Sequence, residues 1–341
     1  MESVKGKLFE FFVYRLLYAC GFKPVFSSKD DNMIFDGAAG LMVHGLGQPH
    51  NADVLFTPPL QTPFYCPTRL LVECKCYNEP VGLPQVRNVL GLRDDINSIE
   101  IVTQKILRAR ERNWDTDPKY FPMKRFQYQV AVASLDGFCA TAIAFAQAHR
   151  IPLISFSESS IFSRIRECID KISSKARRDS DFRDAIIKYM TDKRKKKHYE
   201  ELVYSASNEF AVFIEELKEL EKRITIGLLE DGTLLFMIRA DTELLWQSDE
   251  ERYCDGFAIY WSSDDDKCWK MNYCDEVYLL ELPKELYTDW KQTVSTKAQA
   301  IVFKGENFSY ITLFASREQR NRGIEPVRHI GLSRAFIEKY R

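Results

Sequence analysis

Helical spacing opens the chain. Between positions 4 and 20, Leu8, Phe11, Phe12, Arg15, Leu16 and Ala19 recur three and four residues apart on one helix face, and Gly21 supplies a stop. The pattern then turns strand-like. Asp36-Gly37-Ala38-Ala39-Gly40 precedes Leu41-Met42-Val43-His44, and the turn residues Gly45-Leu46-Gly47-Gln48-Pro49 lead into a second strand over 51–56, which carries Asp53. Four prolines between 57 and 68 mark a loop. The apolar run Leu70-Leu71-Val72-Glu73-Cys74-Lys75-Cys76-Tyr77 follows. Alternation along a strand places Glu73 and Lys75 on one face and turns Cys74 and Cys76 to the other, where small thiols suit a core.

After a loop at 78–82, Leu83, Val86, Val89 and Leu90 predict a short amphipathic helix ending near Leu92, with Pro84 in its first turn and Gln85 beside it. A basic helix is predicted over 99–112. A strand over 129–134, an alanine-rich helix over 139–149 and a strand over 151–156 have the spacing of a βαβ unit with parallel strands. Charged helices fill 157–223, with Ile161, Ile165, Cys168, Ile169 and Ile172 on one face. From Ile224 the pattern is β-rich. Segments 224–230 and 233–239 flank Asp231-Gly232 as a two-residue hairpin, and 257–261, 277–282, 300–303 and 308–314 are further strand candidates.

A length of 341 residues favours more than one domain. The composition shift places boundaries after 157 and 222: an α/β domain with a mixed sheet flanked by helices, a charged helical connector at 158–222, and a β-rich domain at 223–341. With 45% hydrophobic and 28% charged residues the chain is an ordinary globular one. No apolar run approaches the roughly 18 residues of a membrane span, so no membrane partner is expected and the cytoplasm is the default.

A net charge of −1 excludes bulk polycation binding, and any nucleic-acid contact must rest on local patches. The run Lys193-Arg194-Lys195-Lys196-Lys197-His198 is such a patch, either a solvated linker or a phosphate contact, and Arg317, Arg320, Arg322, Arg328 and Arg334 form a looser one. Nine scattered cysteines without paired CxxC spacing indicate reduced, mostly buried thiols rather than a disulfide framework or zinc ribbon. The aromatics Tyr253, Tyr260, Trp261, Trp269 and Tyr273 either fill a core or stack on bases, an effector or another subunit.

The order of Asp53 and then Glu73-Cys74-Lys75 resembles the PD-(D/E)xK nuclease superfamily. The details Gly6-x-x-Phe9-Glu10, His50-Asn51-Ala52-Asp53-Val54-Leu55, Pro80-Val81-Gly82 after the triplet, and Ile151-Pro152-Leu153-Ile154 after an alanine-rich helix resemble its Mrr-like restriction endonuclease branch over about residues 1–156. That resemblance implies a restriction-endonuclease-like fold and Mg²⁺-dependent cleavage of DNA, with Mn²⁺ as a substitute, in restriction or antiviral defence.

It also assigns roles. Asp53, Glu73 and the Cys74 backbone carbonyl would be metal ligands, and Lys75 the catalytic cation. Glu10 is either a solvated side chain or a further ligand. Gln85 and His50 would be accessory residues at the edge of the site, with His50 open to a plain turn role. Cutting both strands of a duplex implies a homo-oligomer, and the β-rich domain would receive a protein partner or small effector. The competing expectation is a non-catalytic DNA-binding or scaffold subunit that keeps a nuclease fold.

Overall fold

The computed structural model describes residues 4–25, 33–37, 40–61, 66–98, 126–157, 159–191, 203–204, 207–240, 253, 255–261 and 268–340. The helix expected over 99–112 and the basic run Lys193, Arg194, Lys195, Lys196 and Lys197 lie outside the described residues. The fold is mixed α/β, with a mixed sheet flanked by helices, further helices, and a β-rich C-terminal part. Among the described residues no helix is long and apolar enough to cross a membrane.

The chain forms two compact units, one of Lys23–Ser155 and one that joins Met1–Phe22 to Phe156–Arg341. This grouping differs from the expected segmentation at its start. Helix α1, Val4–Ala19, belongs with the later residues because Phe9 and Phe12 pack edge-on against Phe156 at 5.7 and 5.0 Å.

The smaller unit contains β1 (Lys23–Pro24), β2 (Ile34–Gly37), β3 (Gly40–Val43), β4 (His50–Asn51), β5 (Val54–Thr57), β6 (Thr68–Lys75), α2 (Leu83–Ser98), β7 (Gln127–Ser134), α3 (Ala140–Ala148) and β8 (Leu153–Ser155). Its five-stranded sheet runs β1-β5-β6-β7-β8. Central β6 pairs antiparallel with β5, through Val54↔Val72, and parallel with β7, through Val72↔Ala131. β7, α3 and β8 form the expected parallel βαβ unit.

Leu71, Val130 and Val132 share one buried cluster with Val86, Val89 and Ile96 of α2. Ile96 lies seven residues after Val89, two helical turns on, and extends the apolar stripe, so α2 runs past the expected end near Leu92. Asn97 then exchanges two 2.8 Å hydrogen bonds with the backbone of Tyr128. A second sheet, β2-β3-β4, is wholly antiparallel. The chain passes from it into the five-stranded sheet at Ala52-Asp53.

The thiols correct an expectation. Cys74 and Cys76 are half-buried rather than core residues, and of the described cysteines only Cys20 and Cys168 are buried. Alternation assigns a face but not the depth of cover, and the buried cluster around Leu71 ends before the strand does.

In the larger unit α1 packs among α4 (Ser163–Ala176), α5 (Ser180–Thr191) and α6 (Asn208–Arg223). Of the expected stripe, Ile165, Cys168, Ile169 and Ile172 are buried on α4, whereas Ile161 is half-buried and precedes the helix. The rest is a seven-stranded antiparallel sheet with the order β11-β12-β13-β10-β9-β14-β15, from β9 (Ile224–Leu229), β10 (Leu234–Arg239), β11 (Phe257–Trp261), β12 (Cys268–Tyr273), β13 (Glu276–Glu281), β14 (Tyr310–Phe314) and β15 (Val327–Gly331). Helices α7 (Lys284–Thr293), α8 (Lys297–Asn307), α9 (Arg317–Asn321) and α10 (Arg334–Tyr340) complete the unit.

Two sequence expectations change here. The β9–β10 connection is a three-residue loop, Glu230-Asp231-Gly232, because Leu229 already pairs with Thr233 and Gly232 takes φ +90°. Residues 300–303 are helical, not a strand. A capping box between Thr296 and Gln299 starts α8 and outweighs the β-forming character of Ile301-Val302-Phe303.

The ends of the seven-stranded sheet approach each other. Phe257 of β11 bridges to Leu332, just past β15, and accepts a 2.8 Å hydrogen bond from the Ser333 N–H. Gly256 permits this, since a Cβ there would collide with the Gly331 carbonyl and lie 2.9 Å from the Ser333 nitrogen. Gly256→Ala is expected to destabilise the larger unit by about 1–3 kcal/mol, read as a lower unfolding midpoint in urea. An unchanged midpoint would show that this backbone approach is not tight.

Candidate active site

Strand β6 sets the site. Glu73 and Lys75, two residues apart, emerge on one face, and Lys75 Nζ donates to Glu73 Oε2 at 2.7 Å. Their side chains are 14% and 26% exposed, so the pair lies at the margin of the sheet rather than in bulk water. Asp53 stands one step beyond the Val54↔Val72 pair, opposite Glu73 by register. There the chain changes sheets, and two hydrogen bonds hold the carboxylate. Cys74 N–H donates to Oδ2 at 2.9 Å, and Asn51 Nδ2 donates to Oδ1 at 3.3 Å. Two acids and an ammonium thus gather where β4, β5 and β6 meet.

Electrostatics fixes the protonation of Lys75. Burial works against its ammonium, but the charge and hydrogen bond of Glu73, with the charge of Asp53, outweigh burial and raise its proton affinity above that of an ordinary lysine. With Glu73 and Asp53 beside it, Lys75 is thus held as a cation that donates a hydrogen bond to Glu73. Tyr77, two residues on, contributes to the same field and is 41% exposed.

The other expected residues are placed as follows. His50 Nε2 lies 2.7 Å from Asp95 Oδ2 on α2, and Gly47 N–H donates to the other Asp95 oxygen at 2.8 Å. These contacts lower the Asp95 proton affinity, with the His50 hydrogen bond the largest cause. His50 thus clasps the 45–49 turn rather than reaching Asp53. Gln85 sits in the first turn of α2 with its Oε1 buried and without a hydrogen-bond partner, and no contact joins it to Asp53, Glu73 or Lys75.

Glu10 lies on α1 in the larger unit and accepts from Lys7 Nζ at 2.8 Å. In the arginine-rich tail, Arg317 Nε donates to the Tyr18 carbonyl at 2.8 Å and Arg328 pairs with Glu276 at 3.3 Å. Of the C-terminal aromatics, Trp269 and Tyr253 are core residues, whereas Trp261 is 40% exposed. Asn51 was missed as a site residue. Its signal was present, since it stands two positions before Asp53, but its reach depends on the bend of the chain at Asp53.

Among the described residues no group of three or more His, Cys, Asp or Glu side chains is placed to hold a metal ion. Asp53 and Glu73 supply two hard carboxylate donors. That set fits a small divalent cation of the Mg²⁺ type, which binds through one or two carboxylates and keeps several waters.

The chain matches no family model, and no curated protein matches it. A solved structure described as the crystal structure of a protein of unknown function, AF1548, is similar at a TM-score of 0.34 and 17% identity, over 63% of this chain and 97% of that one.

Proposed function

We propose that this chain is a metal-dependent endonuclease of the PD-(D/E)xK type that hydrolyses phosphodiester bonds in DNA. One observation carries the reading: Asp53, Glu73 and the Lys75 side chain paired with Glu73 converge where two sheets meet. Carboxylates on a sheet margin beside a lysine are what hydrolysis of an anionic ester requires.

Asp53 and Glu73 would hold the divalent cation. Bound there, it would polarise the phosphate and lower the pKa of a coordinated water. Lys75 donates hydrogen bonds to the phosphate oxygens and stabilises the negative charge that builds on them. Asn51 and the Cys74 N–H keep the Asp53 carboxylate from rotating away, so little reorganisation is needed when substrate arrives. Cleavage of a duplex in both strands calls for two such sites and hence a homodimer.

The second reading, a non-catalytic subunit that keeps this fold, draws on the Glu73–Lys75 pair being a complete ion pair in itself. The two part in a direct assay. Purified protein with supercoiled plasmid and Mg²⁺ is expected to give nicked and linear products, and chelation by EDTA is expected to stop this. Intact plasmid under all divalent-metal conditions would favour the non-catalytic subunit.

A further inference from the structure

A second chemically distinctive side chain lies in the larger unit. Lys304, on α8, is 8% exposed and belongs to the few buried charged residues. Its Nζ faces three rings, Phe336 at 5.2 Å, Tyr260 at 5.9 Å and Trp269 at 6.0 Å. Among the described residues no carboxylate pairs with it. Trp269 is fully buried, and its Nε1 has no hydrogen-bond partner. An amine and an indole N–H, both donors, thus lie at one aromatic wall, and among the described residues no acceptor is paired with either. Native structures rarely leave buried donors in this state without a reason.

We propose that Lys304 is the amine of a second, covalent site that takes a small carbonyl compound as a Schiff base. Burial alone lowers the pKa of this lysine to about 8, with no charged neighbour contributing. Near neutral pH roughly a tenth of Lys304 carries a free lone pair, against about one part in a few thousand for an ordinary lysine. Desolvation by an apolar wall is an established way to activate an amine nucleophile.

The step balances without a redox partner. The Nζ lone pair attacks the carbonyl carbon, a carbon–nitrogen bond forms, and both Nζ protons leave with the carbonyl oxygen as water. The product is a neutral imine, which suits a ring-lined wall. Carbamate formation with CO₂ would instead leave an anion facing the rings. The Trp269 N–H supplies a donor for an acceptor atom on the bound compound.

The test uses the full-length chain, low acetaldehyde and cyanoborohydride, with alkylated lysines mapped by peptide mass spectrometry between pH 6 and 10. Lys304 is expected to be marked at least about tenfold faster than the median surface lysine at pH 7.5, with a rate that levels off above about pH 8. Lys304→Arg should abolish that fast mark and leave the slow ones. Denatured chain serves as the control that the Lys304 peptide is detectable. Labelling of Lys304 in the native chain at or below the surface rate throughout this range would overturn the proposal.

Discussion

Asp53→Asn and Lys75→Ala are each expected to lower the rate of DNA cleavage by on the order of 10²–10³-fold while leaving a folded protein. Asn at 53 keeps an oxygen to accept the Cys74 N–H, now made at 2.9 Å, so the junction of the sheets survives while the negative charge is lost. Removing Lys75 takes away the cation paired with Glu73, the only one among the described residues, so charge building on the phosphate goes unanswered. Single-turnover nicking of supercoiled plasmid measures the rate, and melting by circular dichroism verifies the fold. A folded variant that keeps more than a tenth of wild-type activity would remove that residue from the chemistry.

Lys304→Met is expected to raise the stability of the protein at pH 7. Burial lowers the Lys304 pKa from 10.5 to about 8. Between those values the unfolded chain binds more protons than the folded one, so stability rises with pH across that window and the full penalty applies below it. At 1.36 kcal/mol per pH unit the penalty is about 3 kcal/mol. The difference between wild-type and Lys304→Met unfolding free energies in urea should therefore shrink as pH goes from 8 to 10.5. A difference that is constant with pH would show that Lys304 is not held in a low-dielectric wall. Replacing a buried ammonium that no described carboxylate pairs with by a thioether of similar size is stabilising for the same reason that the amine is reactive.

The sheet alternation that put Glu73 and Lys75 on one face was legible because it depends only on neighbours in sequence, and so was the βαβ unit from β7 to β8. Residues 300–303 were misread as a strand because four apolar residues fit both periods. The deciding signal, Thr296 with Gln299, lay outside that short window. Cys74 was assigned the correct strand but the wrong depth, and Cys76 lies just past the strand's end at Lys75, since burial is decided by what packs over a strand end. The reach of Asn51 and the surroundings of Lys304 were not legible for a related reason. One acts through a bend between sheets, and the other through rings contributed by β11, β12 and α10.

The membership of α1 in the larger unit has a consequence for synthesis on the ribosome. This helix is made before Lys23–Ser155, yet Phe156 and Phe162, against which its phenylalanines pack, are made only after the whole of that unit. At about 5–20 residues per second the apolar face of α1 waits on the order of 10 s for its native partners. Lys23–Ser155 is complete as a unit in that interval, whereas a fragment cut after Ser155 would carry Phe9 and Phe12 with nothing native to cover them.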